Sequence, residues 1–192
     1  MAVATLGILG GVFDPPHVGH VALAQAAIAE LGLERLLVLV VADPGHKRAT
    51  TPASTRLELA RLAFEEIPDA EVELDHHART VDSLEARRAE GAVFVLGADE
   101  LADFPGWKSP ERVLELVCLA VAMRPGVSAD SVRETRARLS APERVSFFEL
   151  EPVAVSSSLV RERVAQGEPI DDLVSRSVAE AIARLGLYAP AE

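Results

Sequence analysis

The segment from Leu9 to His20, LGGVFDPPHVGH, constrains this chain more than any other, because an apolar run ends there in a glycine pair and two histidines follow at helical spacing. Thr5 to Leu9 has the length and apolar character of a buried strand. Gly10 and Gly11 allow backbone conformations closed to other residues and predict a turn, and from Val18 to Ala29 the apolar residues recur with a helical period. A strand, glycine turn and helix in this order aim unpaired N–H groups and the positive end of the helix dipole at one spot beyond the sheet, which attracts phosphate. His17 and His20 are three apart and share a helix face, where their imidazoles have N–H groups to donate to phosphoryl oxygens. The missing side chain of Gly19 lets a ligand approach the first turn, Phe13 wedges the loop onto the core, and Pro15 and Pro16 stiffen it. A His-x-x-His pair alone fits an ordinary turn carrying two surface histidines better, and it is the whole string that favours the phosphate site.

The rest of the chain alternates between strand-like and helical stretches, which predicts an α/β sheet with crossover helices. Strands are predicted at Arg35–Val41, Val72–Leu74, Ala92–Leu96, Val117–Met123 and Val145–Leu150. A helix from about Thr55 to Glu66, capped by Ser54, reads as scaffold with Arg56 and Arg61 on its polar side. A second begins near Val81 and ends before Gly91, a third opens at Ser109-Pro110, and a fourth spans Ser128 to Leu139. The strand at Ala92–Leu96 runs into Gly97-Ala98-Asp99, at the carboxyl edge where open α/β sheets bind ligands, so Asp99 is a site candidate. Ser156, Ser157 and Ser158 can cap a helix with Arg161 about one turn inside it, a second place for a phosphate chain.

Composition narrows the function classes. At 192 residues the chain fits one domain spanning 1–192, helical from about 156 onward, and no linker or repeat divides it. A formal net charge of -11 with no long Lys/Arg run argues against a nucleic-acid or anionic-membrane binder. One cysteine, Cys118 in an apolar run, leaves neither a disulfide framework nor a thiolate metal site. His76 and His77 are adjacent and point in different directions, so no metal site built from protein side chains is expected. The start of the chain lacks a basic leader, and nowhere do about 18 apolar residues run uninterrupted, which predicts a cytoplasmic protein.

The string from Gly10 to His20 resembles the G-G-x-F-D-P-x-H-x-G-H signature of the nucleotidylyltransferase superfamily, and of bacterial nicotinate-mononucleotide adenylyltransferases in particular. Further elements are similar to that family's in the same order. Pro44-Gly45-His46-Lys47 resembles a P-H-K/R element broken by Gly45; Gly97-Ala98-Asp99 and Phe104-Pro105-Gly106-Trp107 resemble G-x-D and F-x-x-W. Arg124-Pro125-Gly126 resembles R-P-G, Val155 to Arg161 resembles I-S-[ST]-T-x-I-R, and Leu185 to Tyr188 resembles the family's C-terminal G-L-Y. The resemblance implies a Rossmann-like fold, an open and mainly parallel sheet with helices on both faces. It implies an enzyme that joins a mononucleotide to the AMP part of ATP and releases pyrophosphate, with Mg²⁺ accompanying ATP.

Carried onto this chain, the resemblance makes His17, His20, Lys47 and Arg161 the electrostatic cast of catalysis. Gly10, Gly11, Val12, Phe13, Gly19, Gly97, Asp99, Arg124, Ser156 and Ser158 complete the ATP side, and Asp14, Arg79, Thr80 and Trp107 face the acceptor. An indole offers a flat face to a pyridine ring, although Trp107 also suits a core anchor. Departures collect on the acceptor side, where Val41 replaces a usual asparagine and Ala78-Arg79-Thr80 replaces S-Y-T. Nicotinate mononucleotide is the implied acceptor; nicotinamide mononucleotide, phosphopantetheine and a non-catalytic ATP-binding module remain alternatives, and a homo-oligomer is open. Cytidylyltransferases carry R-T-x-G-I-S-T-T where this chain has Pro152 to Ser158, and class I aminoacyl-tRNA synthetases need a lysine-rich second signature and tRNA-binding domains absent here.

Overall fold

The computed structural model describes residues 5–45, 49–123 and 128–190. Among these, strands β1 (Leu6–Gly11), β2 (Arg35–Val41), β3 (Ala70–Asp75), β4 (Val93–Gly97), β5 (Cys118–Met123) and β6 (Val145–Glu149) form one sheet. The helices are α1 (Val18–Leu31), α2 (Ala53–Phe64), α3 (Thr80–Arg87), α4 (Ala98–Asp103), α5 (Pro110–Leu116), α6 (Ala129–Ala137), α7 (Ser157–Gln166) and α8 (Arg176–Leu185). The strand order is β3-β2-β1-β4-β5-β6 and every neighbouring pair is parallel. The chain winds outward from β1 to β3, then returns to β4 on the other side of β1. The carboxyl ends of β1 and β4 therefore flank a topological switch point, where an α/β sheet opens a crevice for a ligand.

Both faces of the sheet are covered, which is why the inner strands β1, β2, β4 and β5 read as apolar runs, whereas the edge strand β3 (AEVELD) alternates. Successive side chains go to opposite faces. Leu9, Val38 and Val40 pack with Ala24, Leu59, Phe64 and Ile182 on the side of α1, α2 and α8. Ile8, Leu39 and Phe94 pack with Leu84, Leu101 and Leu114 on the side of α3, α4 and α5. No helix among the described residues is long and apolar enough to cross a membrane.

Two local expectations are corrected. Gly10 and Gly11 are not the turn: both stay in β1, paired with Leu39 and Val40 of β2, and the left-handed residue is Phe13 at φ 53. Glycine is needed at 11 for a different reason, since a Cβ there would lie 2.7 Å from the Phe13 ring. Helix α2 starts at Ala53 with Pro52 at its N-cap, two residues before the expected Ser54 cap.

Candidate active site

The crevice holds a cavity of about 510 Å³. Its floor is the end of β1 with the loop that follows, through Gly10, Gly11, Val12 and Phe13. The first turn of α1 supplies His17, Gly19 and His20, and the start of α4 supplies Gly97 and Glu100. The N-terminus of α7 adds Ser156, Ser157, Ser158 and Arg161, and the loop after β1 also contributes Asp14. Two helix N-termini, from segments about 140 residues apart in sequence, thus converge on one space, each with its positive dipole end toward it.

His17 is the N-cap of α1 and its backbone N–H donates to His20 Nδ1 at 3.2 Å. The two rings stack with centroids 3.7 Å apart, and the Phe13 ring meets His20 edge-on at 4.9 Å. Because Nδ1 of His20 accepts a hydrogen bond, the pairing assigns its proton to Nε2. Burial first, and the neighbouring His17 second, hold His20 well below the ordinary histidine pKa of 6.5. At neutral pH His20 is therefore an uncharged imidazole whose Nε2–H is the remaining donor. A Cβ at Gly19 would sit 3.0 Å from Val155 Cγ1 and 3.1 Å from His17 Nδ1, so glycine there leaves the histidine rings room to stack.

Asp14 lines the large cavity, and its side chain is also bonded within the protein. It is buried, and both carboxylate oxygens are taken up by the chain itself. Oδ2 accepts from the Thr50 backbone N–H and hydroxyl, and Oδ1 accepts from the Thr51 hydroxyl and from Tyr188 Oη at 2.7 Å. Burial opposes its charge, but these donors outweigh that cost and hold its carboxyl below the usual 3.8. Through these bonds Asp14 holds the loop after β1 to Thr50, Thr51 and Tyr188. Its backbone carbonyl accepts from Arg161 Nη1 at 2.6 Å while Arg161 Nη2 donates to Ser158 Oγ at 3.1 Å. Ser157 Oγ donates to the Pro15 carbonyl at 2.8 Å, and Ser156 Oγ caps α7 by accepting from the Leu159 N–H at 3.1 Å.

Arg56 is likewise inside the protein, 1% exposed, and not on a polar helix face. Its guanidinium donates to the carbonyls of Val12 (2.7 Å), Val41 (2.8 Å), Ala42 (2.9 Å) and Thr51 (3.2 Å). The loop after β1 and the loop after β2 are thereby tied to one cation. A signal for this existed: Arg56, Leu59, Ala60, Ala63 and Phe64 are the buried residues of α2, spaced i, i+3, i+4, i+7 and i+8, so Arg56 stands in the apolar stripe.

Asp99 is exposed and does not line the cavity; its neighbour Glu100 does, and Glu100 Oε2 accepts from the Gly97 N–H at 3.3 Å. A helix begins at Ala98, so consecutive residues diverge by about 100° and one of the two carboxylates must turn away. Lys47 and Arg124 lie outside the described residues.

A second, smaller cavity of about 60 Å³ shares Gly10 with the first and extends between β2, β4 and the start of α3. Thr80 and Arg79 border it, Arg79 as the exposed N-cap of α3. Ser83 also faces it, 2% exposed, with an Oγ that has no hydrogen-bond partner among the described residues. Asp75 Oδ1 receives both the backbone N–H of His77 (3.1 Å) and its Nδ1 (2.9 Å) at the rim. Trp107 borders neither cavity. It packs edge-on against Phe94 and Phe104 at 6.1 and 5.2 Å, and Phe94 is the aromatic that reaches the second cavity.

The family described as cytidylyltransferase-like matches residues 8–163, which takes in both helix N-termini of the large cavity. A curated relative in Thermomicrobium roseum, named "Probable nicotinate-nucleotide adenylyltransferase", is 39% identical over 99% of this chain and 94% of its own length. A relative of the same name in Rubrobacter xylanophilus is 38% identical over 95% and 91%. The chain belongs to the nicotinate-nucleotide adenylyltransferase family. Its fold agrees with the Plasmodium falciparum nicotinic acid mononucleotide adenylyltransferase solved in complex with APC, at a TM-score of 0.78 and 14% identity over 97% of this chain and 98% of that one. The same Plasmodium enzyme in complex with NaAD matches at a TM-score of 0.76 and 16% identity, over 97% and 98% of the two chains.

Proposed function

We infer that the protein transfers the adenylyl group of ATP to nicotinate mononucleotide, giving nicotinate adenine dinucleotide and pyrophosphate. The observation that carries the reading is the stacked His17–His20 pair on the first turn of α1, lining one cavity together with the Ser156–Arg161 helix start. The acceptor's phosphate is already anionic at neutral pH, so its oxygen attacks the α-phosphorus of ATP without a general base. A P–O bond forms as the bond to the leaving pyrophosphate breaks, and the electron pair leaves with pyrophosphate. The protein's task is in-line positioning and stabilisation of charge on the transferred and leaving groups.

In this reading His20 donates Nε2–H to an oxygen of the reacting phosphates, which a neutral imidazole does without a protonation step. The α7 N-terminus and Arg161 take the β,γ-phosphates, and Lys47 and Arg124 complete that charge. Mg²⁺ neutralises charge on the ATP phosphates when bound with them. Among the described residues no group of three or more His, Cys, Asp or Glu side chains is placed to hold a metal ion. The pyridine end lies toward the second cavity, with Thr80, the first N–H groups of α3 and Ser83 as its polar partners and Arg79 as a cation near an acid substituent. We place the activity in the cytoplasm, with one domain over 1–192 carrying it and no nucleic-acid or membrane partner.

Pyrophosphate release from ATP, measured with nicotinate mononucleotide, nicotinamide mononucleotide and phosphopantetheine in parallel, tests the reading. Preference for the nicotinate form is expected. Equal use of the amide refutes acid specificity, and no release with any acceptor refutes the transferase.

A further inference from the structure

Tyr188, in the segment that follows α8, reaches a loop near the start of the chain. Its hydroxyl donates to Asp14 Oδ1 at 2.7 Å across a sequence separation of 174. Its backbone has φ 61, a left-handed conformation that bulky residues rarely adopt and that surrounding contacts must hold. The ring packs against the core on the side of α1, α2 and α8. Burial, and then the Asp14 carboxylate, push the phenol well above its ordinary pKa, so it remains a donor throughout the working range.

Asp14 is the junction of three segments. Its carboxylate holds Thr50 and Thr51, and its carbonyl is the rest for Arg161 Nη1. We propose that Tyr188 is a positioning residue for adenylyl transfer: its hydroxyl holds Asp14 where Asp14 can fix both the Thr50–Thr51 shoulder and the seat of Arg161. Without that hydroxyl, Oδ1 keeps the Thr51 bond alone, and the carboxylate rotates toward its remaining donors. The Asp14 carbonyl moves with it, and the guanidinium that rests there loses its register with the phosphates.

The inference rests on the adenylyl-transfer reading, and its test has a binding arm that does not. Tyr188→Phe keeps the ring and removes the hydroxyl. The expected result is a fall in kcat of about tenfold, short of the hundredfold that a 1 Å misplacement can cost. Calorimetry with a nonhydrolysable ATP analogue is expected to give an affinity weaker by about tenfold, the scale of one charge-assisted contact. Arg184→Ala is the control: it cuts the 2.7 Å contact from α8 to Glu58 on α2 and leaves Asp14 alone, so both readouts are expected to stay at wild-type values.

All measurements are made at a temperature where thermal melts show each variant folded. Tyr188→Phe with kcat and analogue affinity within twofold of wild type, whatever its melting temperature, overturns the proposal and leaves Tyr188 a structural staple. The same losses in Arg184→Ala also overturn it, because they would come from loosening α8 in general. If the wild type makes no product with any mononucleotide, the transferase reading fails, while the affinity of Tyr188→Phe for the analogue still decides the role of Tyr188.

Discussion

Replacing Arg56 with methionine removes a cation from the interior and leaves its aliphatic stem. Four backbone carbonyls lose their donor: Val12, Val41, Ala42 and Thr51. Burial lowers the pKa of Arg56, while Asp14 and Tyr188 raise it, so part of the gain from these bonds is already offset by desolvation of the charge. At about 1 kcal/mol net per hydrogen bond, the four together amount to about 4 kcal/mol. For a chain of this size a loss of 1 kcal/mol lowers Tm by about 2 to 4 °C, so Arg56→Met is expected to melt about 8 to 16 °C below wild type. Arg56→Lys restores the charge but not the planar fork, and one ammonium on a shorter reach is expected to recover less than half of the difference. Differential scanning calorimetry and urea unfolding measure both variants. A drop of less than about 3 °C for Arg56→Met refutes the reasoning, since the carbonyls would then be finding other donors at little cost.

His20→Ala is expected to lower kcat by about 10²- to 10³-fold while the fold survives, as for loss of one preorganised donor; a folded variant with near wild-type turnover removes His20 from the mechanism. The same histidine makes stability depend on pH, because its folded pKa lies well below 6.5. Between 6.5 and that lowered value the unfolded chain binds more protons, so stability falls as pH drops through this window. His20→Gln is expected to flatten that slope in melts taken across the window, and an unchanged slope refutes the assignment. Ser83→Ala removes a buried hydroxyl that has no partner, so the free protein is expected to be as stable or slightly more so, while KM for nicotinate mononucleotide rises by about tenfold. A loss of stability with unchanged KM would mean that Ser83 is bonded in the free protein and does not meet the acceptor.

Much of the fold is local chemistry and was legible in the residues. The apolar run Arg35–Val41 is a strand with those bounds, Ser156 caps the helix expected of it, and His17 and His20 share a helical turn. Periodicity and capping involve residues at most four apart, so the chain carries these decisions within short windows. The phosphate-site reading of Gly10 to His20 depended on that same short range; of that stretch Gly10 to Asp14, His17, Gly19 and His20 line one cavity.

Other features were decided by the packing of distant segments. The partners of the Asp14 carboxylate, Thr50, Thr51 and Tyr188, come to it from 36, 37 and 174 residues away. Gly11 looked like a turn residue, but it is the approach of the Phe13 ring that requires it. Which of Asp99 and Glu100 turns to the cavity depended on where α4 began, a matter of one residue that composition does not encode. Arg56 showed the clearest divide: its position in the apolar stripe was written in the sequence, but the four carbonyls that make a buried cation tolerable exist only once both loops have closed over it. A side chain's spacing along a helix is set by covalent geometry, whereas its hydrogen-bond partners and local dielectric are set by whatever chain the fold lays beside it.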